Sequence, residues 1–199
     1  MTVGSAYAAV MALPHAILVS LCEQASSGYE LARRFDRSIG YFWSATHQQI
    51  YRTLRSMEDD DWVRAREVEQ HGRPDKKEYS VTPAGRAELA RWIAEPLKSG
   101  GSARSGSTAD NRTRDLAVKI RAAAYGDAAA VRAQAQQLRA DRAALLDAYR
   151  GFEKEQFPNP AGLTGSELHQ YLVLRGGIRA EEGAIEWLSE VLAALGGPV

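Results

Sequence analysis

Two capping boxes followed by a polar hairpin constrain this chain more tightly than any other feature. Ser27 with Glu30, and Thr46 with Gln49, are each spaced three residues apart ahead of an apolar run. In such pairs each side chain satisfies the other's orphan backbone amide, so each marks a helix start. An earlier helix carries Leu13, Ile17, Leu18 and Leu21 on one face, with Pro14 tolerated because first-turn amides lack intrahelical partners. The second helix continues through Leu31, Phe35 and Ile39 to a stop at Gly40, and the third carries Ile50, Leu54 and Met57 inward. The stretch VRAREVEQHGRPDKKEYSVTP then alternates as two strands, with Val63 and Ala65 on one arm and Tyr79 and Val81 on the other. Gly72 and Pro74 punctuate the tip. A further helix begins at Thr82 as cap with Pro83 in first position.

Three short helices and a basic hairpin are the layout of a winged helix-turn-helix domain, in which the third helix enters a DNA major groove. Helical geometry returns Gln48, Arg52 and Arg55 to the face opposite the apolar one, beside Tyr51. Gln pairs bidentately with adenine and Arg with guanine, so these side chains suit base edges or adjacent phosphates. Free amides at the helix start favour anions, which adds Thr46 and His47 as phosphate contacts. Arg73, Lys76 and Lys77 place positive charge in the wing, diluted by acidic neighbours. The acidic block Glu58 to Asp61 closes the third helix, where it opposes the helix dipole and is expected to face away from DNA.

Periodicity vanishes in KSGGSARSGSTADN, residues 98–111, and this Gly/Ser-rich stretch reads as a linker. It separates a winged-helix domain over 11–97 from a helical domain over 112–199, giving a mainly α fold with a two-stranded β wing. In the second part Val131, Leu138, Leu145 and Phe152 recur every seven residues. Tyr171, Leu174, Ile178, Ile185, Leu188 and Leu192 form a similar seam in the last helix. Long narrow stripes need partners, so both helices are expected to dimerise the protein, the alternative being that the two seams close on each other within one chain. Gly176, Gly177 and Gly183 interrupt the last seam at a cost of about 1 kcal/mol each, which close packing or a cavity would explain. Tyr149, Tyr171 and Trp187 are the aromatic side chains offered for stacking on a flat effector.

Composition excludes several classes of function. Lys plus Arg equals Asp plus Glu at 25 each, so no global field points to nucleic acid and local placement decides. The lone Cys22 excludes a disulfide framework and reads as a small core residue. The apolar N-terminus has no basic leader and no stretch long enough to cross a bilayer, and a cytoplasmic protein is expected. Residues 1–10 are an extension or an alternative start. His15, His47, His71 and His169 are dispersed without metal-ligand spacing, and neither a P-loop nor GxSxG occurs. No catalytic residue, metal or cofactor is assigned, and the remaining alternative is a helical adaptor whose winged domain binds protein.

The segments SGYELARRF, IYRTLRSMEDDDWV and HGRPDKKEYSVTPAGRAEL together resemble the PadR-type transcriptional regulators, over most of Leu13 to Trp92. The resemblance implies a homodimeric repressor that leaves its operator when an effector binds, with Tyr51, Arg52 and the Gly72 to Lys77 wing facing DNA. The second half is similar to the helical domain of longer members. Two positions depart from the pattern: Asp61 stands where a glycine commonly follows the acids, and His47 where proline is frequent.

Overall fold

The computed structural model describes residues 13–35, 45–68, 76–97 and 106–196, with backbone alone over 106–110. The chain divides into two compact units, residues 1–131 and 132–199.

In the first unit, α1 (Leu13–Glu23) is buried nearly all round, since His15, Ala16, Val19 and Ser20 are covered as well as the expected leucines. A helix covered on every side belongs at the centre of its domain. It touches α3 (His47–Asp59), α4 (Pro83–Ala94), α5 (Gly106–Ala122) and strand β3 (Lys76–Val81). The second helix, α2 (Gly28–Arg34), opens with the expected capping box: the Ser27 N–H donates to Glu30 Oε2 at 2.9 Å and the Glu30 N–H to Ser27 Oγ at 3.3 Å. Leu31 and Phe35 are buried as expected; Ile39 and Gly40 lie outside the described residues.

The wing pairs as the alternation requires. β2 (Val63–Val68) runs antiparallel to β3, with Val63 opposite Val81 and Ala65 opposite Tyr79. One element escaped the sequence reading: Ser26–Ser27 forms a short strand, β1, on the other edge of β3, making the sheet three-stranded in the order β1-β3-β2. The extended backbone that Ser27 needs as a cap also satisfies an otherwise open sheet edge. The tip residues Gly72, Arg73 and Pro74 lie outside the described residues.

The junction of α3 with the sheet is a tight turn. The Trp62 N–H reaches Met57 O at 2.8 Å and the Asp61 N–H reaches Glu58 O at 3.1 Å, the paired bonds of a Schellman ending. Asp61 takes the left-handed conformation at φ 56°, so the departure from glycine noted above is accommodated with the same geometry. The Trp62 carbonyl accepts the Thr82 N–H at 3.1 Å, and the Thr82 hydroxyl, while donating to Asp61 O, accepts the Gly85 N–H at 3.0 Å. A Cβ on Gly85 would meet the Trp62 oxygen at 2.1 Å, so only glycine lets α4 start this close to the turn.

α5 begins at Gly106, inside the stretch read as linker, so residues 106–111 are helical and only 98–105 lie outside the described residues. Packing explains the difference: Leu116, Val118 and Ala122 are buried, and a helix nucleated there extends backward through poorly helical residues. The helix packs within the first unit, where the Arg121 Nε donates to Glu23 Oε1 at 2.7 Å. Lys119 is buried too, with its ammonium 4.9 Å from the Trp92 ring centroid and donating to the Glu95 carbonyl. Burial pulls that ammonium down to about 8, against the opposing charges of Asp115 and Glu95. Trp92 also stacks on the His15 ring at 4.3 Å, and His15 Nε2 lies 2.9 Å from Glu88 Oε1. Cys22 is half-buried rather than enclosed, beside Arg86, and burial pushes its thiol up.

The second unit is formed by α6 (Ala128–Gln156) from Arg132 onward and by α7 (Gly165–Leu195). α6 starts where Asp127 Oδ1 accepts the N–H groups of Ala129 and Ala130, at 2.9 and 3.1 Å. The two helices run antiparallel: Arg139 meets Ser189 toward the end of α7, Arg142 and Arg150 meet the adjacent Glu181 and Glu182 at its middle, and Glu153 meets Arg175 nearer its start. Arg142 and Glu181 are nearly enclosed, with Nη1 bonded to both carboxylate oxygens at 3.0 and 3.1 Å. Such a pair contributes little net stability, yet removing one partner strands a buried charge, so it fixes the register of the two helices.

Two stability outcomes follow from the turn geometry. Replacing Asp61 by Gly relieves the left-handed strain, and the urea midpoint is expected to rise by an amount worth about 0.5–1 kcal/mol. Gly85→Ala forces a clash with backbone and is expected to cost about 1–3 kcal/mol. Gly183→Ala, in open space within α7, is expected to gain about 1 kcal/mol. Equal effects of the two alanine variants would contradict this packing.

Candidate nucleic-acid interface

α3 separates its residues cleanly. Ile50, Leu54 and Met57 are at most 1% exposed, whereas Gln48, Arg52 and Arg55 are all on the surface and Tyr51 is 46% exposed. The separation follows from the capping box, which fixes where the helix starts and hence the rotation of every later side chain: Thr46 Oγ1 accepts the Gln49 N–H at 3.2 Å and Gln49 Oε1 accepts the Thr46 N–H at 2.9 Å. Thr46 and His47 are exposed at that start, although the Thr46 hydroxyl is already used by the cap.

Arg52 and Arg55 form no ion pair among the described residues, while Arg91, Arg121, Arg142, Arg150 and Arg175 are all salt-bridged. All four acids from Glu58 to Asp61 are also exposed.

Burial pushes the Tyr79 phenol above its ordinary range, with the charges of Glu58 and Tyr51 adding to the rise and Arg55 opposing it. Strand alternation puts Lys77 on the same sheet face as Tyr79, one step further toward the tip, and Lys77 is exposed. Lys76, on the other sheet face, is less available than the sequence implies. Its Nζ lies 3.2 Å from Glu30 Oε1, and the Ser27 amide and hydroxyl together with Lys76 hold the Glu30 carboxyl below the usual range. Arg73 is outside the described residues.

The sequence reading did not single out α2 as part of this surface. Tyr29 is 57% exposed, with the Arg33 guanidinium 5.9 Å from its ring centroid. Gly28, beside it, lies against the Tyr51 ring; a Cβ there would be 2.4 Å from Tyr51 Cε1. The available signal was the four-residue spacing of Tyr29 and Arg33, which places both on one helix face.

In the second unit, the residues read as dimer seams divide between buried and half-buried positions. Leu138, Ile178 and Leu188 are at most 1% exposed, as is Val131 at the end of the first unit, while Leu145, Tyr171, Leu174, Ile185 and Leu192 are half-buried. The apolar surface that α6 and α7 leave open is Phe152, Leu172 and Val173, at 45, 57 and 78% exposure. Of the aromatic trio, Tyr149 lines a cavity between α6 and α7. Tyr171 sits beside it, tilted on Phe157 with its hydroxyl donating to Glu153 at 3.3 Å, and Trp187 is half-buried elsewhere along α7. No group of three or more metal-ligating side chains occurs among the described residues, and no described helix is long and apolar enough to cross a membrane.

Comparison with known proteins agrees with this anatomy. Residues 17–91 match the model of the transcriptional regulator PadR-like family, and residues 114–196 that of the virulence activator alpha C-terminal family. The chain is 69% identical over 185 residues to a probable transcriptional regulator of Mycobacterium tuberculosis, covering 93% of this chain and 98% of that protein. It is 28% identical over 186 residues to the negative transcriptional regulator PadR of Bacillus subtilis, covering 92% and 97%. A crystal structure of Bacillus subtilis PadR in complex with operator DNA aligns with a TM-score of 0.44 at 24% identity, covering 92% of this chain and 98% of that one. With a winged helix in the first unit, a helical hairpin in the second and a relative this similar along nearly its whole length, the chain belongs to the PadR-like family of transcriptional regulators.

Proposed function

We propose that this regulator binds double-stranded DNA as a homodimer and represses transcription from a palindromic operator. The observation that carries the reading is the exposed α3 face, on which Gln48, Arg52 and Arg55 project while Ile50, Leu54 and Met57 anchor the opposite side. Arg52 and Arg55 supply bidentate donors to guanine or phosphate, Gln48 to adenine, and the helix start with Thr46 and His47 faces phosphate. Tyr51 and the wing residues Arg73 and Lys77 flank the groove. Lys76 contributes only if it leaves Glu30.

Two copies suit this task because recognition helices about 34 Å apart meet successive turns on one side of a duplex. The open apolar residues Phe152, Leu172 and Val173 favour a second copy on the helical unit, with the buried seam residues shaping that surface from beneath. Repression is favoured by the Bacillus subtilis relative, which is named a negative regulator. Release by a small aromatic effector completes the reading, and it acts by favouring a conformation with lower DNA affinity. No catalytic step is assigned to any residue.

Selection of bound genomic fragments with the purified protein is expected to enrich an inverted repeat. On that site, Arg52→Ala combined with Arg55→Ala is expected to weaken binding at least a hundredfold, about 3 kcal/mol, with dimer mass by sedimentation and helicity by circular dichroism unchanged. An unchanged DNA affinity would instead favour a protein-binding role for the winged domain. Affinity is also expected to fall on the order of a thousandfold between about 50 and 200 mM salt for about six phosphate contacts. A flat salt response would exclude phosphate contact.

A further inference from the structure

The two capping boxes of the first unit differ by one charge. In α3 the uncharged Gln49 completes the box, its Oε1 accepting the Thr46 N–H at 2.9 Å and the Thr46 hydroxyl at 3.3 Å. In α2 the carboxylate of Glu30 fills the same position, and a single oxygen does the capping: Oε2 accepts the Ser27 N–H and the Ser27 hydroxyl, both at 2.9 Å. An amide therefore suffices for such a cap, and the negative charge of Glu30 is not needed for it. Its other oxygen, Oε1, lies 3.2 Å from the Nζ of Lys76. Lys76 is the first residue of β3 and, among the described residues, the wing cation nearest the tip.

We propose that Glu30 is a built-in stand-in for a DNA phosphate: it holds Lys76 in the free protein, Lys76 exchanges it for a backbone phosphate on binding, and this competition lowers affinity for any duplex. A carboxylate oxygen on an ammonium makes the same charge-assisted hydrogen bond that a phosphate oxygen makes. The pair is open to exchange, since the Glu30 and Lys76 side chains are 49% and 29% exposed and an ion pair in such a setting is held weakly.

The competitor is always charged at neutral pH. The Ser27 amide and hydroxyl, together with Lys76, hold the Glu30 carboxyl below the usual range. The pairing is also selective. Glu78 lines the same groove and sits on the same face of β3, two residues from Lys76, yet it forms no ion pair among the described residues.

This inference rests on the DNA-binding reading, which wild-type affinity and its loss in Arg52→Ala with Arg55→Ala test by themselves. Full-length protein is titrated into the operator recovered by genomic selection and into a random duplex of the same length, at several salt concentrations. Glu30→Gln keeps an acceptor for Ser27 and removes the charge; it is expected to tighten binding about three- to fivefold with an unchanged thermal midpoint. The factor is expected to be the same for both duplexes, because phosphate contacts carry no sequence information. In the Lys76→Met background the same substitution is expected to change affinity less than about 1.5-fold, the double-mutant signature of a route through Lys76. Glu78→Gln, which removes an equal charge without touching the pair, is expected to tighten binding less than about 1.5-fold as well. Lys76→Met alone is expected to lower the slope of log affinity against log salt by about one, as for one lost phosphate.

A Glu30→Gln variant no tighter than wild type, a gain confined to the operator, an equal gain in the Lys76→Met background, or an equal gain from Glu78→Gln would overturn the proposal. So would an unchanged salt slope in Lys76→Met, which leaves the α2 cap intact and decides the matter even if Glu30→Gln disturbs folding. Any of these results with wild-type DNA affinity retained removes the exchange alone, whereas a wild-type protein that binds no duplex removes both readings.

Discussion

The Trp62 backbone is the fixed point of the winged-helix unit. Its N–H closes the end of α3 on Met57, and its carbonyl accepts the Thr82 amide at the start of α4. Gly85 allows the α4 backbone to pass close beside that oxygen. One residue therefore ties the exposed helix, the first wing strand and the helix after the wing. If the turn opened, α3 would lose its fixed angle to the sheet, and the exposed face carrying Arg52 and Arg55 would lose its orientation. Preorganisation of this kind limits the ordering cost that binding otherwise pays.

The second unit is organised by different physics. Its helices close on each other through apolar seam residues and a series of cross-helix polar contacts, with the nearly enclosed Arg142–Glu181 pair near the centre. Leucine seams alone tolerate sliding by a heptad, whereas a buried ion pair is satisfied in only one register. Register in turn sets which side chains remain on the surface. Phe152, Leu172 and Val173 remain exposed, while Arg175 and Tyr171 turn toward Glu153.

The fold was legible wherever a local rule sufficed. Capping boxes at Ser27 and Thr46, the cap at Thr82, and alternation through Val63, Ala65, Tyr79 and Val81 each act over a few residues, and each appears as read. The exposed face of α3 was legible for the same reason, because a known start and a fixed helical period determine rotation. Local rules misled at residues 106–111, where Gly and Ser favour a loop but the packing of Leu116 and Ala122 recruits the segment into α5. They were silent on β1, which exists only because β3 has an edge to fill. They also gave Lys76 a free charge that Glu30, distant in sequence, takes up.

The sequence by itself determined the helix starts, the alternation of the wing strands and the inward and outward faces of α3, since these depend on neighbours within one or two turns of chain. Only the tertiary structure decided that Leu138, Ile178 and Leu188 are covered within the chain, that Gly177 makes room for the Tyr149 ring, and that Asp61 bends left-handed to hold Trp62 in place. Those outcomes turn on which surfaces come together at long range. A stripe of leucines states that it must be covered, but the covering partner is chosen by shape and by the pairing of buried charge.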